Sequence, residues 1–169
     1  SIVNQMYADN WRPDYIVGVT RGGNVPATII SNMTGIRCEA LKVSLRDDDQ
    51  GPESNLWMAE EAFGYNDPEK TGITGARWDT KLRKNILIVD DINDTGATFN
   101  WIKEDWPSGC MPMEHDRWNA VWGGNVRFAT LTDNGASNAE VPVSYTCHEI
   151  NKAEEDVWLV YPWENVGEY

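Results

Sequence analysis

The sequence is short of positive charge. Its 169 residues hold 14 Lys and Arg against 27 Asp and Glu, a formal net charge of −13 at pH 7. A surface of that sign repels a phosphodiester backbone and an anionic bilayer, so nucleic-acid and membrane-surface roles are both disfavoured. Long apolar runs are lacking too, and nothing approaches the ~20 residues of a transmembrane helix. The opening stretch, Ser1 to Met6, has neither a basic n-region nor an apolar h-region. Secretion is therefore not indicated, and a cytoplasmic location is expected. Cysteine is scarce and unpatterned: Cys38, Cys110 and Cys147 are odd in number, far apart and without a CxxC. They read as three reduced, mostly buried thiols. The two histidines, His115 and His148, have no zinc-site partners and read as structural or surface residues.

What is there is an ordinary globular composition with one excess, nine tryptophans. The length suits a single domain over residues 1–169, large enough to bury about 70% of the surface its unfolded chain would expose. A phosphate site on so acidic a chain has to be built locally, from backbone N–H groups, a helix terminus or a metal.

Four short runs read as strands: Tyr15–Val19, Ile86–Val89, Val126–Leu131 and Val157–Tyr161, with Ala40–Ser44 as a fifth. Ile86-Leu87-Ile88-Val89 is continuously apolar, the mark of a strand buried on both faces. Helices are expected over Pro26–Met33, closed by Gly35, and over Thr98–Trp106, stopped by Pro107. Strand–helix alternation of this kind predicts an α/β fold with a parallel sheet covered on both faces. Residues 45–84 form a long connection with one helical patch over Trp57–Phe63, and read as a flexible lid region. The Ser108–Asn125 stretch reads as packing, with Trp118 and Trp122 one helical turn apart on one face. No repeat or low-complexity tract interrupts the chain.

The chemistry concentrates in Ile86-Leu87-Ile88-Val89-Asp90-Asp91-Ile92-Asn93-Asp94-Thr95-Gly96-Ala97-Thr98. A buried strand delivers two adjacent carboxylates to its C-terminal end, and a turn of small and hydroxylated residues then opens a helix. Such a turn aims backbone N–H groups and the Thr95 and Thr98 hydroxyls at one point, an anion site. Asp90 and Asp91 would repel a phosphate themselves; they suit vicinal hydroxyls or the water shell of Mg²⁺ beside it. A phosphorylated ribose meets all of these demands.

This stretch resembles the phosphoribosyl-pyrophosphate (PRPP) signature of the type I phosphoribosyltransferases: four apolar residues, two acids, two variable residues, then Asp-Thr-Gly-x-Thr. Asn93 departs from it, standing where the family usually has an apolar residue, and is expected to change packing rather than chemistry. Thr20-Arg21-Gly22-Gly23 resembles the family's pyrophosphate loop, with glycines that let backbone approach an anion and an arginine to neutralise it. The resemblance implies a cis peptide between Thr20 and Arg21. Val157-Trp158-Leu159-Val160-Tyr161-Pro162-Trp163-Glu164 resembles the base motif of the xanthine–guanine and hypoxanthine branch, which implies that Trp158 stacks on the base and Leu159 contacts it through backbone. Trp163 is a weaker candidate, since core packing accounts for most tryptophans.

The family's purine-recognition lysine is missing from the matching loop, Thr130 to Ser137. Asn134 is the candidate donor there, and Lys152 a possible substitute, though a surface role suits it better. The Ser44-Leu45-Arg46 stretch stands where the family's mobile loop carries a Ser-Tyr pair, and Asp47-Asp48-Asp49 reads as a solvated acidic turn.

The resemblance implies a Rossmann-like α/β domain, a central mostly parallel sheet flanked by helices with a small C-terminal hood. It implies phosphoribosyl transfer from PRPP to a nucleobase, a 6-oxopurine by preference, with adenine, a pyrimidine or a PRPP-sensing regulator as alternatives. Asp90 and Asp91 would hold the ribose hydroxyls and the Mg²⁺ shell; Asp94, Thr95, Gly96, Ala97 and Thr98 the 5-phosphate. Arg21, Gly22 and Gly23 would meet the pyrophosphate, and Asp94 would serve as acid/base. Partners would be PRPP, a nucleobase and a second copy of the chain in a homodimer or larger homo-oligomer.

Overall fold

Five strands run parallel in the order β2-β1-β3-β4-β5: β1 Tyr15–Thr20, β2 Cys38–Lys42, β3 Ile86–Asn93, β4 Val126–Asn134 and β5 Val143–Ile150. The computed structural model describes residues 1–43, 55–72, 74–75, 77–109, 115–155 and 159–163. Helices α1 (Ile2–Ala8), α2 (Asn24–Thr34), α3 (Leu56–Phe63), α4 (Pro68–Thr71), α5 (Ala97–Gly109) and α6 (His115–Trp118) surround the sheet, with a 3₁₀ turn at Thr80–Leu82.

The two-residue period of the strands divides the core. Tyr15, Val17, Val19, Ile86, Ile88 and Phe128 project to one face, where they meet Met58 and Phe63 of α3 and Phe99, Ile102 and Trp106 of α5. Ile16, Leu87, Val89, Ala129 and Tyr145 project to the other, against Ile2 and Met6 of α1 and Ala27 and Ile30 of α2. Burying both faces is what makes β1 and β3 continuously apolar rather than alternating.

The order 2-1-3-4-5 reverses direction between β1 and β3. In open α/β sheets the connections leave such a switch point on opposite faces, and the crevice lies outside the carboxyl ends of those strands. Here these ends are Thr20 and Asp90-Asp91, joined to the sheet by pairing from Tyr15↔Ile86 to Gly18↔Val89.

Several expectations need correction. Leu159, Val160 and Tyr161 are not in a strand, and residues 156–158 lie outside the described residues. The last strand is instead Val143–Ile150. It is a sheet edge where Tyr145 is buried but Cys147, His148 and Glu149 are exposed, so no apolar run marks it. β2 begins at Cys38 and ends at Lys42, two residues earlier than expected. Pro107 lies inside α5: so near the end it removes one hydrogen bond, and two further residues complete the turn. Among the described cysteines Cys38 is half-buried and Cys147 exposed, while Cys110 lies outside them. The expected lid divides. Residues 44–54 lie outside the description, but Met58, Ala59, Ala62 and Phe63 are buried, because their spacing gives α3 an apolar face that the sheet covers. Trp118 and Trp122 do stack, with ring centroids 5.4 Å apart, though the helix ends at Trp118 and a turn carries Trp122.

Candidate functional site

The crevice is assembled by two segments far apart in sequence. After β1 the Thr20–Arg21 peptide is cis, and the chain turns through Gly22 and Gly23 into α2. A Cβ on Gly22 would stand 2.3 Å from Asp91 Oδ2, and one on Gly23 2.2 Å from the Val89 carbonyl oxygen. The backbone contact requires glycine at 23, whereas a side chain at 22 would displace the Asp91 carboxylate. Arg21 is exposed at the mouth of the turn.

Asp90 retains only 9% of its exposure. Its Oδ1 accepts from the Asp91 N–H at 2.8 Å, and Asp91 Oδ1 accepts from the Ile92 N–H at 2.8 Å. Burial, reinforced by the adjacent Asp91 carboxylate, pushes the Asp90 pKa up from the usual carboxylate range to about 8. Two carboxylates this close in a water-poor setting do not both ionise without a cation or donors.

Beyond them lies a cavity of about 220 Å³ lined by residues 90–99 alone. Gly96 has φ +89°, and a Cβ there would meet the Ala139 backbone nitrogen at 2.3 Å. Thr95 Oγ1 accepts from the Ala97 N–H at 3.2 Å as α5 begins. From behind, the Asn138 N–H donates to the Thr95 carbonyl at 2.9 Å, and Asn100 Nδ2 to the Asn138 carbonyl at 2.9 Å. The loop is thus held in shape by neutral groups, with its N–H groups near a helix start, a setting that favours an anion.

Asn93 is buried and polar in its contacts. Its Nδ2 donates to Asp133 Oδ1 at 2.8 Å and Ser137 Oγ at 2.9 Å, joining β3 to β4 and the loop after it. Asn134 is turned on the protein itself: Nδ2 donates to the Asp94 carbonyl at 2.8 Å, while Oδ1 accepts from the Ala136 and Lys152 N–H groups. All three of these partners are backbone groups.

Lys152 is the residue that sequence reasoning undervalued. Its Nζ stands 2.9 Å from Asp94 Oδ1, on side chains that are 23% and 42% exposed respectively. The lysine comes from the turn after β5, which parallel topology brings beside the exit of β3; no local motif announces it. A second, wider hollow of about 530 Å³ lies past Asn134, bordered by Asp133, Glu149, Glu154 and Glu155.

Leu159 is half-buried and Trp163 exposed, its ring stacked on Tyr161 at 5.0 Å. Trp158, Arg46 and Asp47-Asp48-Asp49 lie outside the described residues. Among the described residues no group of three or more His, Cys, Asp or Glu side chains is arranged to hold a metal.

Comparison with known proteins agrees with this geometry. A family profile described as the phosphoribosyl transferase domain matches residues 1–162. Xanthine phosphoribosyltransferase 1 of Saccharomyces cerevisiae is 27% identical over 106 residues, 59% of this chain and 50% of that protein. The chain thus spans about half the length of this curated relative. A purine phosphoribosyltransferase from Pyrococcus horikoshii superposes with a TM-score of 0.56 at 19% identity, over 99% of this chain and 87% of that one. A xanthine-guanine-hypoxanthine phosphoribosyltransferase from Helicobacter pylori gives a TM-score of 0.51 at 15% identity, over 92% and 84%. At these identities the structural likeness speaks for the fold alone.

Proposed function

The chain belongs to the phosphoribosyl transferase domain family, and on that footing we propose that it moves the 5-phosphoribosyl group from PRPP to a nucleobase, a 6-oxopurine by preference, releasing pyrophosphate. The observation that carries this reading is the contact between the two motif segments: Gly22 packs directly against the Asp91 carboxylate at the switch point of the sheet. A pyrophosphate at the β1 turn and a ribose at the β3 carboxylates would then be neighbours, as they are in PRPP.

In this reading residues 94–98 hold the 5-phosphate through backbone N–H groups and the Thr95 and Thr98 hydroxyls. Asp90 and Asp91 accept from the ribose hydroxyls and orient the sugar for in-line attack. Arg21 meets the negative charge that grows on the leaving pyrophosphate, the kind of preorganised contact worth roughly 3–4 kcal/mol in other enzymes. Asp94 receives the proton of the attacking base, held in place by Lys152 and through its carbonyl by Asn134. Trp158 and Leu159 contact the base.

The donor set suits Mg²⁺ that arrives with PRPP. The buried Asp90 and its neighbour can both ionise only beside a compensating cation, yet two carboxylates cannot fill an octahedral shell, so substrate oxygens and water would complete it. When bound, magnesium would offset charge on the pyrophosphate.

A second acceptor class, adenine or a pyrimidine, draws support from residues 130–137, which hold no lysine but do hold Asp133. The deciding experiment is a spectrophotometric panel of PRPP and Mg²⁺ with hypoxanthine, guanine, xanthine, adenine, uracil and orotate. Turnover with a 6-oxopurine is the expected result. Turnover only with another base corrects the acceptor; PRPP binding without any turnover replaces the enzyme with a PRPP sensor.

A further inference from the structure

Residues 159–163 have no regular secondary structure, yet they return to the C-terminal edge of the sheet. The Tyr161 hydroxyl lies there, donating to the Asp91 carbonyl at 3.1 Å and standing 2.7 Å from Thr132 Oγ1. A phenol has one proton, and the carbonyl can only accept. The Thr132 hydroxyl must therefore be the donor in the shorter bond. Thr132 is buried and sits opposite Ile92 in the β3/β4 register, so both anchors belong to strands rather than loops. The Trp163 ring lies on the Tyr161 ring with only 5° between their planes, which favours one orientation of the phenol.

We propose that Tyr161 is a positioning residue for the acceptor base: its hydroxyl docks the 159–163 segment onto the strand ends that carry the sugar-binding carboxylates. The inference rests on the phosphoribosyl-transfer reading above. Leu159 lies two residues from this anchor, a reach of no more than about 7 Å along extended chain. Fixing Tyr161 therefore limits how far the base-contacting residues can move from the sugar site. In this role the hydroxyl acts through the segment it docks rather than on a reacting atom. Its loss should weaken binding of whatever projects from C1′ on the base side and leave the phosphate end alone.

The test is Tyr161→Phe, which removes the hydroxyl and keeps the ring that stacks on Trp163. Calorimetry would compare ribose 5-phosphate with inosine, guanosine and xanthosine 5′-monophosphates, and kinetics would give KM for base and for PRPP. The expected result is a loss of at least about 3- to 10-fold in affinity for the tightest nucleotide, the scale of a single hydrogen bond, since the bond to Asp91 and the bond from Thr132 are both removed. Base KM rises in parallel, while ribose 5-phosphate affinity and PRPP KM stay within about twofold. Thr132→Val leaves the bond to Asp91 and should give a smaller loss in the same direction.

Unchanged nucleotide binding in Tyr161→Phe overturns the proposal. A parallel loss of ribose 5-phosphate affinity also overturns it, since that assigns Tyr161 to support of Asp91 or of the fold at large. Wild-type protein that binds neither ribose 5-phosphate nor any nucleotide overturns this proposal and the phosphoribosyl-transfer reading together. Wild-type protein that binds both but never turns over rejects only the enzyme, and the binding comparison still decides the role of Tyr161.

Discussion

Asp94 and Lys152 come from different turns, and their 2.9 Å contact places a cation against the candidate acid/base. Partly exposed pairs contribute little to stability, about 0–1 kcal/mol, so Lys152→Met should leave the melting temperature nearly unchanged. Its effect should fall on chemistry: a decrease of at least about tenfold in kcat/KM for the base, some 1.4 kcal/mol of transition-state stabilisation, partly restored in Lys152→Arg. Asp94→Asn should cost about 10²–10⁴ in kcat, the usual scale for a general acid or base, with PRPP affinity within about threefold by calorimetry. Persistent turnover in Asp94→Asn would move the acid/base role elsewhere.

Asp90 supports a pH prediction for the ligand-free protein. Its folded-state pKa is raised to about 8, so between roughly pH 4 and pH 8 the native state holds a proton that the unfolded chain has released. Native stability therefore falls as pH rises through this window, and the cost is complete above pH 8. Asp90→Asn removes that cost. Relative to wild type it should melt higher at pH 8.5 by at least about 2–4 °C, the shift per kcal/mol in a domain of this size. The gain should vanish below pH 4. A pH-independent difference between the two proteins would contradict it.

At the scale of elements, the crevice is made by what the strands leave at their ends. Ile86-Leu87-Ile88-Val89 announced a doubly buried strand because helices cover both sides of it, and the carboxylates and glycine turn follow from that run directly. β5 was illegible for the opposite reason: it pairs on one side only, and its Cys147, His148 and Glu149 face solvent. Without β5 the contact of Lys152 with Asp94 was not legible, since only the position of that strand makes the turn after it a neighbour of Asp94. Asn134 was legible as a site residue by its loop, but not its engagement with the Asp94 carbonyl, which depends on β4 running on to residue 134. The packing change expected at Asn93 is made through polar bonds to Asp133 and Ser137.

The proposed phosphate turn yields a prediction of its own. Gly96→Ala imposes a side chain on a left-handed backbone and drives a Cβ into the Ala139 nitrogen. A loss of at least about 1–2 kcal/mol is expected from the backbone conformation alone. In calorimetry ribose 5-phosphate affinity should fall more than tenfold. Retained affinity would show that the turn tolerates reshaping.

Across the whole molecule, acidic side chains border both hollows at the carboxyl ends of the strands. Asp90, Asp91 and Asp94 line a cavity whose proposed phosphate end is neutral backbone, and the whole chain, these three included, carries a net charge of −13. Electrophoretic retardation of DNA or RNA at about 0.15 M salt should therefore be undetectable, with or without PRPP; PRPP-dependent retardation would instead point to a nucleic-acid-binding regulator. No helix among the described residues is long and apolar enough to cross a membrane.

The two faces of the sheet also differ optically. Trp106, Trp118 and Trp122 crowd the face covered by α3 and α5, and Trp118 and Trp122 lie 5.4 Å apart with 24° between their planes; the opposite cluster has Trp11. Indoles that close share their excited states, so the folded protein should show an exciton couplet in circular dichroism that Trp122→Phe abolishes. The segment between α5 and β4 thus carries its own spectroscopic reporter, which follows the docking of one face without any added dye.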